Sequence, residues 1–265
     1  MVTSELTPIR QPLENVSIPM FLVRQTPRTA FEHIRRELTK LPEWRQKGYA
    51  FNYGPPSNSL IEELKISDMT AVDWGKVQSA VECEIYPSFD FKPAAQAVES
   101  ALPEVEKALS VFKTYQEQWG FKLFPQYEIE LVVGTIGGGG SWQTIDDTVG
   151  GIPNGTITFW QNPNPSLRGR TPAERIVHEM VHMGIEELLA LICFEAGKPI
   201  LHQKTKERLV DLIIEKSFKI NLFPNYRTQL NQDNRIDPYI SETTLMDLPG
   251  AIKQFIAENE VLSKQ

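Results

Sequence analysis

The chain has 265 residues, 41% of them hydrophobic and 23% charged, with 13 Phe, 7 Tyr and 5 Trp. That supply of apolar side chains excludes wholesale disorder and suffices for one large core or two modest ones. A net charge of −7 argues against a broad nucleic-acid surface, which needs clustered Lys and Arg, and no apolar run reaches the ~18–20 residues that cross a bilayer.

The first 25 residues hold Pro8, Pro12 and Pro19 with little periodicity, and either an extended arm laid on the body or partial disorder is expected there. The opening Met-Val-Thr-Ser-Glu-Leu-Thr-Pro has neither the basic end nor the apolar stretch of a secretory signal, so the expectation is a cytoplasmic chain. Phe31, Ile34 and Leu38 stand at helical spacing and predict a helix over Pro27–Leu41, stopped by Pro42. Asn52–Ser59 reads as a turn-rich connector. Further helices are expected over Leu60–Ile66, Ala71–Val81 and Ala94–Trp119, the last bent or interrupted at Pro103.

The pattern changes near Gly120. Tyr127–Val133 alternates and then turns fully apolar, as a strand entering a core does. Gly134–Gly151 reads as a glycine-rich loop, and Gly155–Trp160 as a second strand. After Pro165 the chain is helical for most of its remaining length. Helices, then strands, then helices suit an α+β fold better than alternating βαβ units. The expected organisation is a mainly helical N-terminal region, residues 1–119, followed by a core over residues 120–265, as two domains or one continuous domain. Cys83 and Cys193 stand alone, without a C-x-x-C pair, and both read as buried small side chains in a reducing compartment.

His178-Glu179-Met180-Val181-His182 carries the chemistry. Thr171-Pro172-Ala173-Glu174 predicts the start of its helix, with an N-cap, a proline at the first helical position and a capping-box glutamate. Two histidines four residues apart lie one turn above each other, so their imidazoles can converge on one metal ion. Glu179 is one step round the helix, within reach of a water at that metal, which is why H-E-x-x-H suits zinc hydrolysis. The bland alternative is a pair of packed core histidines.

A hydrolytic zinc has three protein ligands and one open position. The third could be His33, His202 or a carboxylate. Glu186 lies two turns beyond His178 on the same helix, ~12 Å away and too far for one tetrahedral ion, and Glu187 fails likewise. Glu207 is better placed. It begins an amphipathic helix in which Glu207 and Asp211 share a stripe with Val210 and Ile214. A carboxylate on an apolar stripe must be paired or metal-bound. Glu207 is therefore expected either to bind the metal or to form a salt bridge. Asp211 is expected behind the site, accepting a hydrogen bond from the second nitrogen of His178 or His182.

With 24 residues between His182 and Glu207, and Asp211 one turn later, the arrangement resembles the zincin metallopeptidases. Within them it resembles the glutamate-zincin, thermolysin-like branch. The resemblance implies a zincin-like core: a small twisted sheet, the H-E-x-x-H helix, a following Glu-bearing helix, and a cleft beneath an edge strand that Thr156–Trp160 could supply. It implies Zn2+ bound by His178, His182 and Glu207, Glu179 as general base, and a peptide or protein substrate. The branch with a third histidine is excluded, because Ile185 and Leu188 stand where it needs glycine and histidine. The asparagine usual before the glutamate ligand in thermolysin-like enzymes is also absent.

A donor for the developing oxyanion is needed as well. Tyr226 is favoured over His202, Arg227 and Tyr239. Gly137–Trp142 lacks the Lys-Ser/Thr of a P-loop and reads as a mobile rim or a simple hairpin. Thr156–Trp160 could pair with an extended peptide or be an ordinary core strand. Lys204–Arg208 reads as a solvated, mixed-charge face. The other functional class that fits is a non-catalytic binding or regulatory protein with a structural metal; a metal-free helical protein with packed histidines is the third.

Overall fold

The computed structural model describes residues 19–39, 71–132, 140–146, 153–160, 170–219, 221–229 and 232–259. The expected connector at Asn52–Ser59 and helix at Leu60–Ile66 lie outside the described residues. The architecture is α+β and mostly helical, built round one four-stranded sheet. No helix among the described residues is long and apolar enough to cross a membrane.

Strand β1 (Met20–Arg24) comes from the expected extended arm, and its bulky Phe21-Leu22-Val23 run pairs in parallel with β2 (Gln126–Val132). The Phe21 and Tyr127 rings stack in register, 5.6 Å between centroids. Helix α1 (Pro27–Thr39) follows, with Thr26 and Thr29 bonding each other's backbone N–H groups at its start. Helix α2 (Trp74–Ala80) is capped by the Asp73 carboxylate and runs on into a single π-helical turn, Val81–Ile85. Val81 and Ile85 take the buried side of that turn. Cys83 is thereby left exposed, against the expectation of a buried thiol; Cys193 is buried as expected.

Helix α3 (Lys92–Trp119) is continuous through Pro103 rather than interrupted. The carbonyl that loses its partner there belongs to Glu99, on the exposed face, where water can replace the missing N–H. Its apolar stripe, from Ala94 through Val105 and Phe112 to Trp119, is buried. Gly120 ends it in the left-handed region at φ 80°, a conformation that favours glycine, and the chain then turns into β2.

The sheet order is β1-β2-β4-β3. Strand β4 (Pro153–Trp160) is parallel to β2 and antiparallel to β3 (Gly140–Asp146). Two expectations are corrected here. Thr156–Trp160 is not the edge but an interior strand, and the edge among the described residues is β3, within the stretch read as a glycine-rich loop. A short edge strand takes its hydrogen bonds from its neighbour, so preceding glycines do not prevent it; Trp142, Thr144 and Ile145 supply ordinary strand propensity.

Helix α4 (Pro172–Glu195) opens with the capping box read from the sequence: Thr171 Oγ1 accepts from the Glu174 N–H, and Glu174 returns a bond to the Thr171 N–H. Residues 173–185 are buried on every face, as in a helix enclosed by a core. Sheet strands β3 and β4 lie on one flank, and α3 and α5 (Gln203–Phe218) on others. The expected solvated face at Lys204–Arg208 is instead a fastening. Lys206 is buried and reaches Glu186 of α4 at 3.1 Å, while Arg208 clamps Asp237. Helix α6 (Leu248–Glu258) closes the far side, and one apolar cluster runs from α1 to α6.

The close fit of α4 rests on Gly184. A Cβ there would overlap the Phe121 ring, which is itself held between Phe112, stacked at 4.6 Å, and Trp119. Alanine favours a helix interior by about 1 kcal/mol over glycine, but overpacking a core costs about 1–3 kcal/mol. Gly184→Ala is expected to destabilise the protein by about 1–2 kcal/mol and to lower Tm by a few degrees. An unchanged or raised Tm in thermal unfolding would mean that the Phe121 ring yields.

Candidate metal centre

The site is made where α4 and α5 face each other. His178 and His182 stand one turn apart on α4, and Glu207 stands in the second turn of α5. Their donor atoms form a closed triangle: His178 Nε2 to His182 Nε2, His178 Nε2 to Glu207 Oε2, and His182 Nε2 to Glu207 Oε2 are each 3.2 Å. A tetrahedral ion held at ~2.0–2.1 Å spaces its ligands by ~3.3–3.4 Å. The triangle fits a divalent ion with little adjustment, and it is the one such group of His, Cys, Asp and Glu donors among the described residues. Two imidazoles favour zinc and its transition-metal neighbours over magnesium or calcium.

Behind His178 lies the carboxylate of Asp211, which is fully buried. Its Oδ1 accepts from Arg170 Nη2 at 2.6 Å and from the Tyr226 hydroxyl. Its Oδ2 accepts from the Gln229 backbone N–H at 2.7 Å and from Gln232 Nε2 at 2.6 Å. His178 Nδ1 lies 3.0 Å from the Tyr226 oxygen and 3.4 Å from Asp211 Oδ1. For Nε2 to present a lone pair to a metal, Nδ1 must carry the proton. That tautomer has Nδ1–H donating to Tyr226 Oη and the phenol donating onward to Asp211; Arg170 Nη1, which can only donate, also lies 3.1 Å from Nδ1 and has to give way to it. Arg170 is fixed in place, its Nε donating to the Arg227 carbonyl at 2.9 Å and its guanidinium lying over the Tyr226 ring.

Tyr226 is therefore not where the sequence reading put it. Its hydroxyl is on the Nδ1 side of His178, turned away from the donor triangle and engaged by Asp211. A phenol bonded there is not free to stabilise an oxyanion on the Nε2 side. Of the other candidates, Arg227 is exposed and joins the site through its backbone carbonyl alone. His202 caps α5, its Nδ1 accepting from the Lys204 N–H, and Tyr239 bonds Glu258 and Asn259. Neither His33 nor His202 joins the donor triangle. Asp211 stands behind the His178 imidazole, on its Nδ1 side. Arg170, Gln203, Gln229 and Gln232 were missed. Arg170 precedes the helix cap by one residue, and both Gln229 and Gln232 follow α5 without periodicity, so local pattern gave no signal for them.

The electrostatics follow from burial and partners. Burial alone would depress the His178 pKa, but hydrogen bonds to Asp211 and Glu207 outweigh it and lift the imidazole to about 9. Burial would raise the Asp211 carboxyl, yet the His178 hydrogen bond and the Arg170 charge hold it down at about 2. Glu207 lies well below the ordinary glutamate range, its burial overcome by the two imidazoles. Glu179 is buried and is pushed up by desolvation, against the lowering influence of both histidines. Comparison of the chain with protein-family models, with curated proteins and with solved structures returned no match.

The sign of the pH dependence is fixed by these shifts. His178, raised above its unfolded value near ~6.5, contributes stability that is complete below that value and lost as pH rises through about 9. Asp211, depressed below its unfolded value, contributes stability that is complete above ~4 and lost as pH falls through about 2. Chelator-treated protein is expected to be most stable between about pH 4 and 6.5, with Tm falling on both sides. A flat Tm from pH 6 to 9 would show that His178 is not held between the two carboxylates.

Proposed function

We propose that the protein is a zinc-dependent hydrolase, most specifically a metallopeptidase with a zincin-like core. The observation that carries this reading is the 3.2 Å triangle of His178, His182 and Glu207 donors, with a buried carboxylate, Glu179, next to His178 on α4. Zinc at such a site would supply Lewis acidity and bring the pKa of water to ~7. His178, His182 and Glu207 would hold it, and Asp211 with Tyr226 would keep the His178 Nε2 lone pair turned toward it.

Glu179 then has the work of a base. It takes a proton from the water that attacks the scissile carbonyl carbon and returns that proton to the nitrogen that leaves as the C–N bond breaks. Desolvation favours such a transfer, because a raised carboxyl pKa lies nearer that of the water it must deprotonate. A structural metal site would not require this residue. The antiparallel edge strand β3, lying against α4, supports the zincin-like reading and offers an extended peptide a strand to pair with. A cytoplasmic setting fits two cysteines that are both free.

Protein purified without added metal is expected to carry close to one zinc per chain by elemental analysis, and His182→Ala to carry none. Glu179→Gln should keep its zinc while cleavage of a peptide library falls about 10²–10⁴-fold. Zinc bound by wild type with no cleavage of any peptide or protein would point instead to a binding or regulatory protein with a structural metal. No bound metal in wild type would overturn both readings.

A further inference from the structure

The carboxylate of Glu207 accepts hydrogen bonds from two neutral amides. Gln203, one turn earlier on α5, donates its side-chain N–H to Oε1 at 2.6 Å. Gln229 donates to Oε2 at 2.6 Å, and the same nitrogen lies 3.3 Å from His178 Nε2. The Gln229 backbone is pinned in turn, its N–H bonded to Asp211 Oδ2. The two oxygens of Glu207 are thus made unlike: Oε1 is turned to Gln203, while Oε2 faces both imidazoles and Gln229.

Uncharged donors orient the carboxylate without neutralising it. A Lys or Arg in either place would form an ion pair and compete with a bound cation for the same charge. We propose that Gln203 and Gln229 are positioning residues that together restrict Glu207 to one-oxygen coordination of the metal, Gln203 by engaging Oε1 and Gln229 by fixing the rotation of the carboxylate that presents Oε2. The proposal rests on the zinc reading of the site and deepens it. A carboxylate bound through both oxygens would fill two coordination positions, whereas one bound through Oε2 alone leaves room for water and substrate. Gln229 carries the larger share of the affinity, because it is half-buried and anchored to Asp211, whereas the exposed Gln203 acts on the choice of oxygen.

The test compares wild type with Gln229→Ala, Gln229→Met and Gln203→Ala. Methionine retains the length of glutamine without its N–H donor, so it keeps the experiment informative if alanine disturbs folding. Zinc affinity is measured by competition with a chromophoric chelator, and Co2+-loaded protein is examined by visible and X-ray absorption. Both Gln229 variants are expected to bind zinc about 10–100-fold more weakly and to shift the Co2+ absorption bands. Gln203→Ala is expected to weaken binding less and to allow two-oxygen coordination by the carboxylate. Wild-type affinity and an unshifted Co2+ spectrum in Gln229→Met would overturn the proposal, as would two-oxygen coordination in wild type. Failure of wild type to take up zinc would be visible before any variant is made, and would overturn the reading of the site itself.

Discussion

A single buried carboxylate organises this half of the molecule. Asp211 is fully enclosed, and a charge taken out of water survives only when its lone pairs are all engaged. Here the donors come from four separate stretches: Arg170 before α4, His178 within it, Tyr226 and Gln229 after α5, and Gln232 beyond. Satisfying one anion therefore fastens the entry of α4, the body of α5 and the segment that follows it. The same bonds set which nitrogen of His178 faces Glu207.

The two sides of His178 consequently do different work. On the Nδ1 side the contacts are numerous, buried and mutually bonded, and they define orientation. On the Nε2 side lie the donor triangle and the two amides that hold Glu207. Glu186–Lys206 adds a second link between the helices, one turn beyond His182, so the α4–α5 spacing is held by a bridge that does not use the donor triangle. Gly184, two residues past His182, lets the Phe121 ring enter and brings α4 close to the end of α3.

Elements governed by short-range rules were legible in the sequence. The capping box at Thr171, the helix it begins, the β2 strand and the Gly120 stop all follow from bonds and dihedral preferences spanning a few residues. The convergence of His178 and His182 belongs to this class, because four residues of helix place two side chains on one face. The choice of Glu207 drew on a different clue, a carboxylate on an apolar stripe, and the chain does bring its Oε2 to both imidazoles. The misreadings share a cause. Cys83, the interior position of β4, the edge strand β3 and the buried Lys206 each depend on what packs alongside, which no local pattern encodes.

Tyr226 shows the boundary between the two most sharply. Its sequence position marks it as near the site, and it is near, yet which side of His178 its hydroxyl meets depends on how the segment after α5 folds back over Asp211. By itself, the sequence determined the helix that carries two imidazoles at one spacing with a carboxylate between them, because helical geometry is complete within a turn. Only the tertiary structure decided that Glu207 closes the triangle, that Asp211 stands behind it, and that Gln229 and Gln203 grip its oxygens. Those contacts join stretches up to 51 residues apart, and their geometry follows from packing of the whole core.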